Sequence, residues 1–367
     1  MISRMLCIIS LLSVVVCANS AWASNWTDAN DLAVTLHLWS DEGNWDDWVP
    51  EAGYDTADIR MTDPNMCIIN AGTTAAATVT YVGFAAPGHL VITGGTLNSQ
   101  QWRVGSEGGG GGIGLVTMSG GAVTLTADSA IGQSGGEGTL DMTGGTINHT
   151  AGVFIVGFNG GSGTFNLNDP SPAAALTTVS LRVGYENGGR GTVTVTDGNI
   201  VTKGDASVGQ GNGSVGTLNI DGGIVYQNSD GLGGYWFYVG YQGGIGTVNL
   251  NGGKLSTPHI QLGTVAGASD APVPLIDLRG GTLEIRNSSV ADVEFQILAY
   301  YVPRGWIKAY GGAGTISLTW DPVTTWAIVE GVPPCWWDMP GDVNKDCTVD
   351  LVDFAMLAED WLVTVAP

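Results

Sequence analysis

A unit of roughly two dozen residues recurs along most of this chain, and nothing else in the sequence narrows the fold as far. Gly138-Thr139-Leu140-Asp141-Met142-Thr143-Gly144-Gly145-Thr146-Ile147 reads as glycine, alternating strand, glycine pair and apolar residue, and closes ten residues later at Gly157. Copies open at Gly114, Gly163, Gly191, Gly216 and Gly246, with frayed ones at Gly88 and Pro274, giving offsets of 26, 24, 25, 28, 25, 30 and 28 residues. A repeat of this length describes stacked coils, none of which buries its apolar face alone.

Within each copy the parity is strict. Leu140/Met142, Phe165/Leu167, Val193/Val195, Leu218/Ile220, Val248/Leu250 and Ile276/Leu278 share one face, and Asp141, Asn166, Thr194, Asn219, Asn249 and Asp277 share the other. Period two is the signature of a strand.

A second strand closes each copy with two inward residues before a glycine: Trp102/Val104, Phe154/Val156, Leu181/Val183, Ala206/Val208, Phe237/Val239 and Ile260/Leu262. Their alternates Arg103, Ile155, Arg182, Ser207, Tyr238 and Gln261 are expected to face out. A third apolar anchor follows the glycine pair at Leu97, Val123, Ile147, Ile200, Val225, Leu255 and Leu283. Three short sides joined by glycine corners predict an all-β parallel β-helix, a β-solenoid.

Composition alone would allow another reading, because 58 glycines and only 13% charged residues also occur in low-complexity chains. Strand parity argues against that. Residues 1–23 carry Arg4, an apolar run and Ala21-Trp22-Ala23, the pattern of a cleaved secretory signal, so the mature protein is expected to be secreted, extracellular or on the cell surface. Nothing later reads as a membrane span.

The formal net charge is −22, and acids crowd both ends. A polyanion such as nucleic acid is therefore excluded as a partner, whereas a divalent cation fits. Removal of the signal leaves Cys67, Cys335 and Cys347, which in an oxidising compartment allow one disulfide and one odd thiol.

Domain boundaries follow from where the repeat holds. Residues 24–87 are expected to form an N-terminal cap and the first coils, with Trp and Pro covering the open end of the stack. Those tryptophans would alternatively offer faces to sugar rings, although large aromatics more often fill cores. The repeats run over 88–285. Residues 286–330 form a C-terminal cap that begins with helical spacing at Val290, Val293, Ile297, Leu298 and Tyr301, and residues 331–340 are a proline-containing linker.

Several corners suggest chemistry. In the fourth copy Asn168-Asp169-Pro170-Ser171-Pro172 replaces the glycine pair, and stacking would set Asp169 and Asp197 at equivalent positions, with Asp221 one coil further. Carboxyls so placed would suit glycoside hydrolysis, and the bland alternative is that Asp serves as a turn residue. The outward column from Asp141 to Asp277 holds neither a base nor adjacent carboxylates and reads as an amide ladder along the stack. His37, His89, His149 and His259 are scattered and are taken as surface or cap residues.

The corners Gly135-Gly136-Glu137-Gly138 and Gly160-Gly161-Ser162-Gly163 resemble the opening of the calcium-binding nonapeptide of RTX toxins. That motif needs Asp where this chain has Leu140 and Phe165, so the array should not bind calcium that way. In style the repeats resemble those of autotransporter passenger domains, a likeness that implies a fold and not an activity. Pectate-lyase-like enzymes share the β-helix, which makes a polysaccharide lyase or glycoside hydrolase the alternative to a non-enzymatic structural or binding module for glycan or an envelope component.

Residues 341–362 carry the strongest local motif. Gly341-Asp342-Val343-Asn344-Lys345-Asp346-Cys347-Thr348-Val349-Asp350-Leu351-Val352-Asp353 resembles a type I dockerin repeat. The resemblance implies calcium held by Asp342, Asn344 and Asp346, by the Thr348 carbonyl, and by Asp350 and Asp353, and it implies a cohesin-like partner or other envelope protein. Dockerins carry two such repeats where this chain holds one, and Leu351-Val352 replaces the Ser-Thr pair common in cohesin recognition. Cys347 stands where such a loop has glycine for its sharp turn, and a Cys335–Cys347 disulfide would offset the resulting strain and leave Cys67 unpaired.

Overall fold

The computed structural model describes residues 22–29, 37–51, 53–106, 111–171, 173–228, 234–263, 274–286, 290–324 and 326–334, together with 351, 354 and 355. Over these residues the chain winds a parallel β-solenoid of about eight turns. Each turn contributes one strand to each of three parallel sheets.

The first sheet runs from Cys67–Ile69 and Gly88–Ile92 through Ser162–Asn168, Arg190–Asp197, Val215–Ile220 and Ile245–Leu250 to Leu275–Leu278 and Ile307–Ala309. Gly138, Gly163, Gly191, Gly216 and Gly246 stand opposite one another in successive coils, so the sequence repeat is the register. In the second sheet Leu97, Val123, Ile147, Leu176, Ile200, Val225, Leu255 and Leu283 stack in one column. Leu176 belongs there although the Asn168–Pro172 insertion displaces it in sequence. Val104, Ile131, Val156, Val183, Val208, Val239 and Leu262 form the matching column of the third sheet.

Every inward residue of these columns is at most 3% exposed, and the core is continuous along the axis. At about 1.5–3 kcal/mol for each large aliphatic side chain withdrawn from water, the columns supply the main driving force for folding.

Glycine marks the corner between third and first sheets because neighbouring coils touch there. Gly157 has φ +77, and a Cβ on it would lie 2.0 Å from the Arg190 carbonyl oxygen of the coil stacked on one side. On the other side, a Cβ on Gly163 would lie 2.0 Å from the carbonyl oxygen of Ile131. Any side chain at either position would push the coils apart and break the ladder.

Both ends depart from the repeat. Trp26, Trp39 and Trp45 are 3%, 0% and 4% exposed and pack edge-on at centroid distances of 5.2 and 4.9 Å. Their faces are spent on one another, so these three fill the cap's core and do not take the alternative role of stacking on sugar rings. At the other end an α-turn, Val290–Glu294, continues as a π-helix, Phe295–Tyr301, that buries Ile297 and Tyr301. Ala327–Val332 then pairs antiparallel with both Thr282–Ile285 and Thr315–Trp320, and the parallel stacking stops.

The histidines depart from expectation. His37, His89 and His149 are 9%, 7% and 1% exposed, so they are interior groups and not surface ones. His149 explains why: its Nε2 donates to the Ala127 carbonyl at 2.9 Å, and its Nδ1 lies 2.9 Å from the Thr178 hydroxyl. It links the Ala127 carbonyl of one coil to the Thr178 hydroxyl two coils on.

Candidate functional site

The outward surface of the third sheet is where aromatic and cationic side chains collect. Val82-Gly83-Phe84, Val156-Gly157-Phe158, Val183-Gly184-Tyr185 and Val239-Gly240-Tyr241 repeat one pattern, in which valine enters the core and glycine makes the corner. The aromatic that follows is left outside. These aromatics share a column with Ser106, Gln133 and Gln210. Residues with positive φ follow directly at Ser134, Asn159, Glu186 and Gln242, turning the chain away and leaving the column uncovered.

Ring geometry makes this a strip. Phe158 and Tyr185 stack across coils at 5.8 Å, Tyr238 and Tyr241 at 4.5 Å, and Trp236 and His259 at 4.9 Å, all within 28° of parallel. All six rings are partly exposed. Asp205 fixes the entry of this strand by accepting the Trp236 backbone N–H at 2.8 Å.

Arg182 sits among these rings. Burial pushes its guanidinium below the usual range, while Asp205, Tyr185 and Tyr238 act in the opposite direction. Among the described residues its one hydrogen bond is a long one, 3.5 Å to the Leu181 carbonyl, which leaves donors free for a ligand. Burial also raises the phenols of Tyr185 and Tyr238, so both hydroxyls stay protonated at neutral pH and can donate. Ser207, expected to face out beside them, is 1% exposed because it is a small side chain between Arg182 and Tyr238 in the register. Ile155 is likewise closed over, at 4%.

The first sheet's outward column has the opposite character. Asn166 donates to Asp141 at 2.7 Å, Asn219 to the Thr194 hydroxyl at 3.3 Å and Asn249 to Asn219 at 2.8 Å. This is the amide ladder the sequence indicates, and its polar groups serve one another.

The three acidic candidates are also engaged. A register shift after Leu167 sets Asp197 opposite Asn168, so Asp169 and Asp197 are not equivalent as the sequence alignment of coils implies. Thr196 is the extra residue, left unpaired between Val195 and Asp197. Asp169 is 5% exposed and accepts the Ser171 N–H at 3.0 Å, Asp197 accepts the Gly198 N–H at 2.7 Å, and Asp221 accepts Asn251 Nδ2 at 2.7 Å. Each carboxylate shapes a corner or extends a ladder.

Cys67 is a buried free thiol, and burial pushes its pKa well above the usual range, with the Asp28 charge adding to that. Asp342, Asn344, Asp346, Thr348, Asp350, Asp353, Cys335 and Cys347 lie outside the described residues. Among the described residues no three His, Cys, Asp or Glu side chains converge to hold a metal ion, and no helix is long and apolar enough to cross a membrane.

Comparison of the chain with protein-family models, with curated proteins and with solved structures returns no match. What the chain does is therefore read from its surface. The strip was legible in principle: the signal is the aromatic after each Val-Gly, one residue past where the repeat's apolar anchors end.

Proposed function

We propose that this protein is a secreted, non-catalytic β-solenoid that binds an extended neutral glycan along its third sheet and is attached to a partner through a calcium-dependent C-terminal element. The observation that carries this reading is the exposed strip of Phe158, Tyr185, Trp236, Tyr238, Tyr241 and His259 around Arg182. Aromatic rings suit the apolar faces and edges of pyranoses, and the phenol, imidazole and guanidinium groups beside them suit the hydroxyls.

From the coil of Phe158 to that of His259 the strip rises about 20 Å at roughly 4.8 Å per coil, a span for several sugar units. Individually weak contacts then add up along one chain. A formal charge of −22 opposes an acidic polymer and leaves a neutral one.

The attachment element rests on the spacing of Asp342, Asn344, Asp346, Thr348, Asp350 and Asp353, which suits a calcium loop presented to a cohesin-like or other envelope protein. A Cys335–Cys347 disulfide would brace it.

A glycan array with a depolymerisation screen on the full chain tests the binding reading. Retention on a neutral polysaccharide without release of reducing or unsaturated ends is expected. Release of such ends, abolished by Asp169→Asn or Asp197→Asn, would instead make the protein an enzyme. Calorimetry should register calcium binding, and non-reducing peptide mapping the disulfide.

A further inference from the structure

Where the second and third sheets meet near the N-terminal end, the surface folds into a cleft of about 210 Å³ lined by Asn98, Ser99, Gln100, Thr124, Thr126 and Gly53. Ala77 completes the lining. No charged side chain is among these residues.

Ser99 is buried and satisfied, accepting from Thr80 at 3.0 Å and donating to the Gln101 carbonyl at 2.9 Å. The other four polar side chains differ. Asn98, Gln100 and Thr126 are exposed and Thr124 is half-buried, and none of the four carries a side-chain hydrogen bond among the described residues. Elsewhere on the solenoid the stacked amides close on one another, as Asn249 does on Asn219. Here two amides and two hydroxyls from adjacent coils stand in register, Asn98 opposite Thr124, with hydrogen-bonding capacity unspent.

The facing wall is firm. Asp55 Oδ2 accepts both the Trp48 indole N–H and the Glu51 backbone N–H at 3.0 Å, which pins the turn that carries Gly53. The next residue, Tyr54, is 72% exposed at that turn.

From this geometry we infer that the cleft is a binding subsite for a single neutral sugar ring, held by the Asn98 and Gln100 amides and the Thr124 and Thr126 hydroxyls. The volume falls below the roughly 300–1,000 Å³ of common small-molecule sites. That selects one ring over a chain. Amides and hydroxyls pair with sugar hydroxyls as both donors and acceptors, while a carboxylate or phosphate would find no cation here. The ligand class follows the glycan reading proposed above, but the residues are separate from the strip, so the two can fail independently.

Saturation-transfer NMR on the full chain with glucose, galactose, mannose, xylose and N-acetylglucosamine, and with galacturonate and glucuronate, tests this. At least one neutral sugar should show transfer, weakened tenfold or more in an Asn98→Ala/Gln100→Ala variant. Asn148→Ala, one coil beyond Thr124 in the same column, should leave it unchanged and so control for folding. The part of the transfer that depends on Asn98 and Gln100 should persist in Tyr185→Ala/Tyr238→Ala while polysaccharide retention drops. No transfer from any neutral sugar, transfer insensitive to Asn98→Ala/Gln100→Ala, preference for the uronates, or loss in the double tyrosine variant would overturn the cleft. Persistence of the cleft signal with no polymer retained by the parent protein would overturn the strip alone.

Discussion

The first and third sheets are built from the same repeat, in the same register and over the same core, yet their outer faces have opposite characters. On the first, Asn166, Asn219 and Asn249 hand hydrogen bonds to the coil below, so the polar surface is consumed in holding the stack together. On the third, the rings of Phe158, Tyr185, Tyr238 and Tyr241 and the guanidinium of Arg182 are not consumed in holding one coil to the next. A solenoid can thus spend one face on stability and keep another for recognition, because parity gives each face its own alphabet without disturbing the core between them.

The largest effect is expected at the corner both sheets share. Gly157→Ala would force a Cβ against the Arg190 carbonyl at a φ of +77, which should cost more than about 3 kcal/mol or prevent folding. A chemical denaturation curve within about 1 kcal/mol of the parent would show that the coils can separate there. Next in size, Val195→Ala removes part of an inward column and should cost about 1–3 kcal/mol, against little for Thr194→Ala on the outward one. Equal losses at the two positions would break the parity on which the comparison rests.

A crossed pair of variants separates the two faces directly. Asn219→Ala removes two ladder hydrogen bonds and should cost about 1–2 kcal/mol in stability without touching glycan retention. Tyr185→Ala with Tyr238→Ala should do the reverse, weakening retention on a neutral polysaccharide more than about tenfold through two lost ring contacts while leaving the melting temperature within about 3 °C. The same response from both variants would mean that the aromatic strip is only another stabilising ladder.

How much of this was visible in the sequence depends on whether a feature lives within a coil or between coils. Inward residues such as Leu140, Phe165 and Val193 could be read off because parity assigns them to the core, whereas parity alone did not foresee that Ile155 and Ser207 on the outer face are closed over. The amide ladder was legible for the same reason, since one residue per coil at a fixed offset must stack. Asp169 and Asp197 were misaligned because a bulge after Leu167 shifts the register, and a shift between neighbours is invisible in either strand alone. The buried histidines were missed because the partners that accommodate His149, the Ala127 carbonyl and the Thr178 hydroxyl, are 22 and 29 residues away. The cleft escaped because its facing wall, Gly53, comes from the irregular N-terminal region and not from the repeat.

The smallest effect concerns pH and compares histidines on different sheets. Burial depresses the pKa of both His89 on the first sheet and His149 on the second. Asp63, 3.6 Å from His89, and the Ala127 carbonyl and Asp128 charge beside His149 work against that depression without reversing it. With a folded pKa below the ordinary value of about 6.5, the unfolded chain takes up the proton first as pH falls. The stability tied to these groups is therefore complete above about pH 6.5 and is lost progressively below it, until the folded pKa is reached. His149→Gln removes the titrating group while keeping an amide to donate to Ala127, so the fall in melting temperature between pH 7 and pH 5 should be about 2 °C shallower than in the parent. His89→Gln should flatten it in the same direction, and carboxylates that titrate in the same interval cancel when each variant is compared with the parent. An unchanged or steeper slope in either variant would show that burial does not govern these imidazoles as their surroundings indicate.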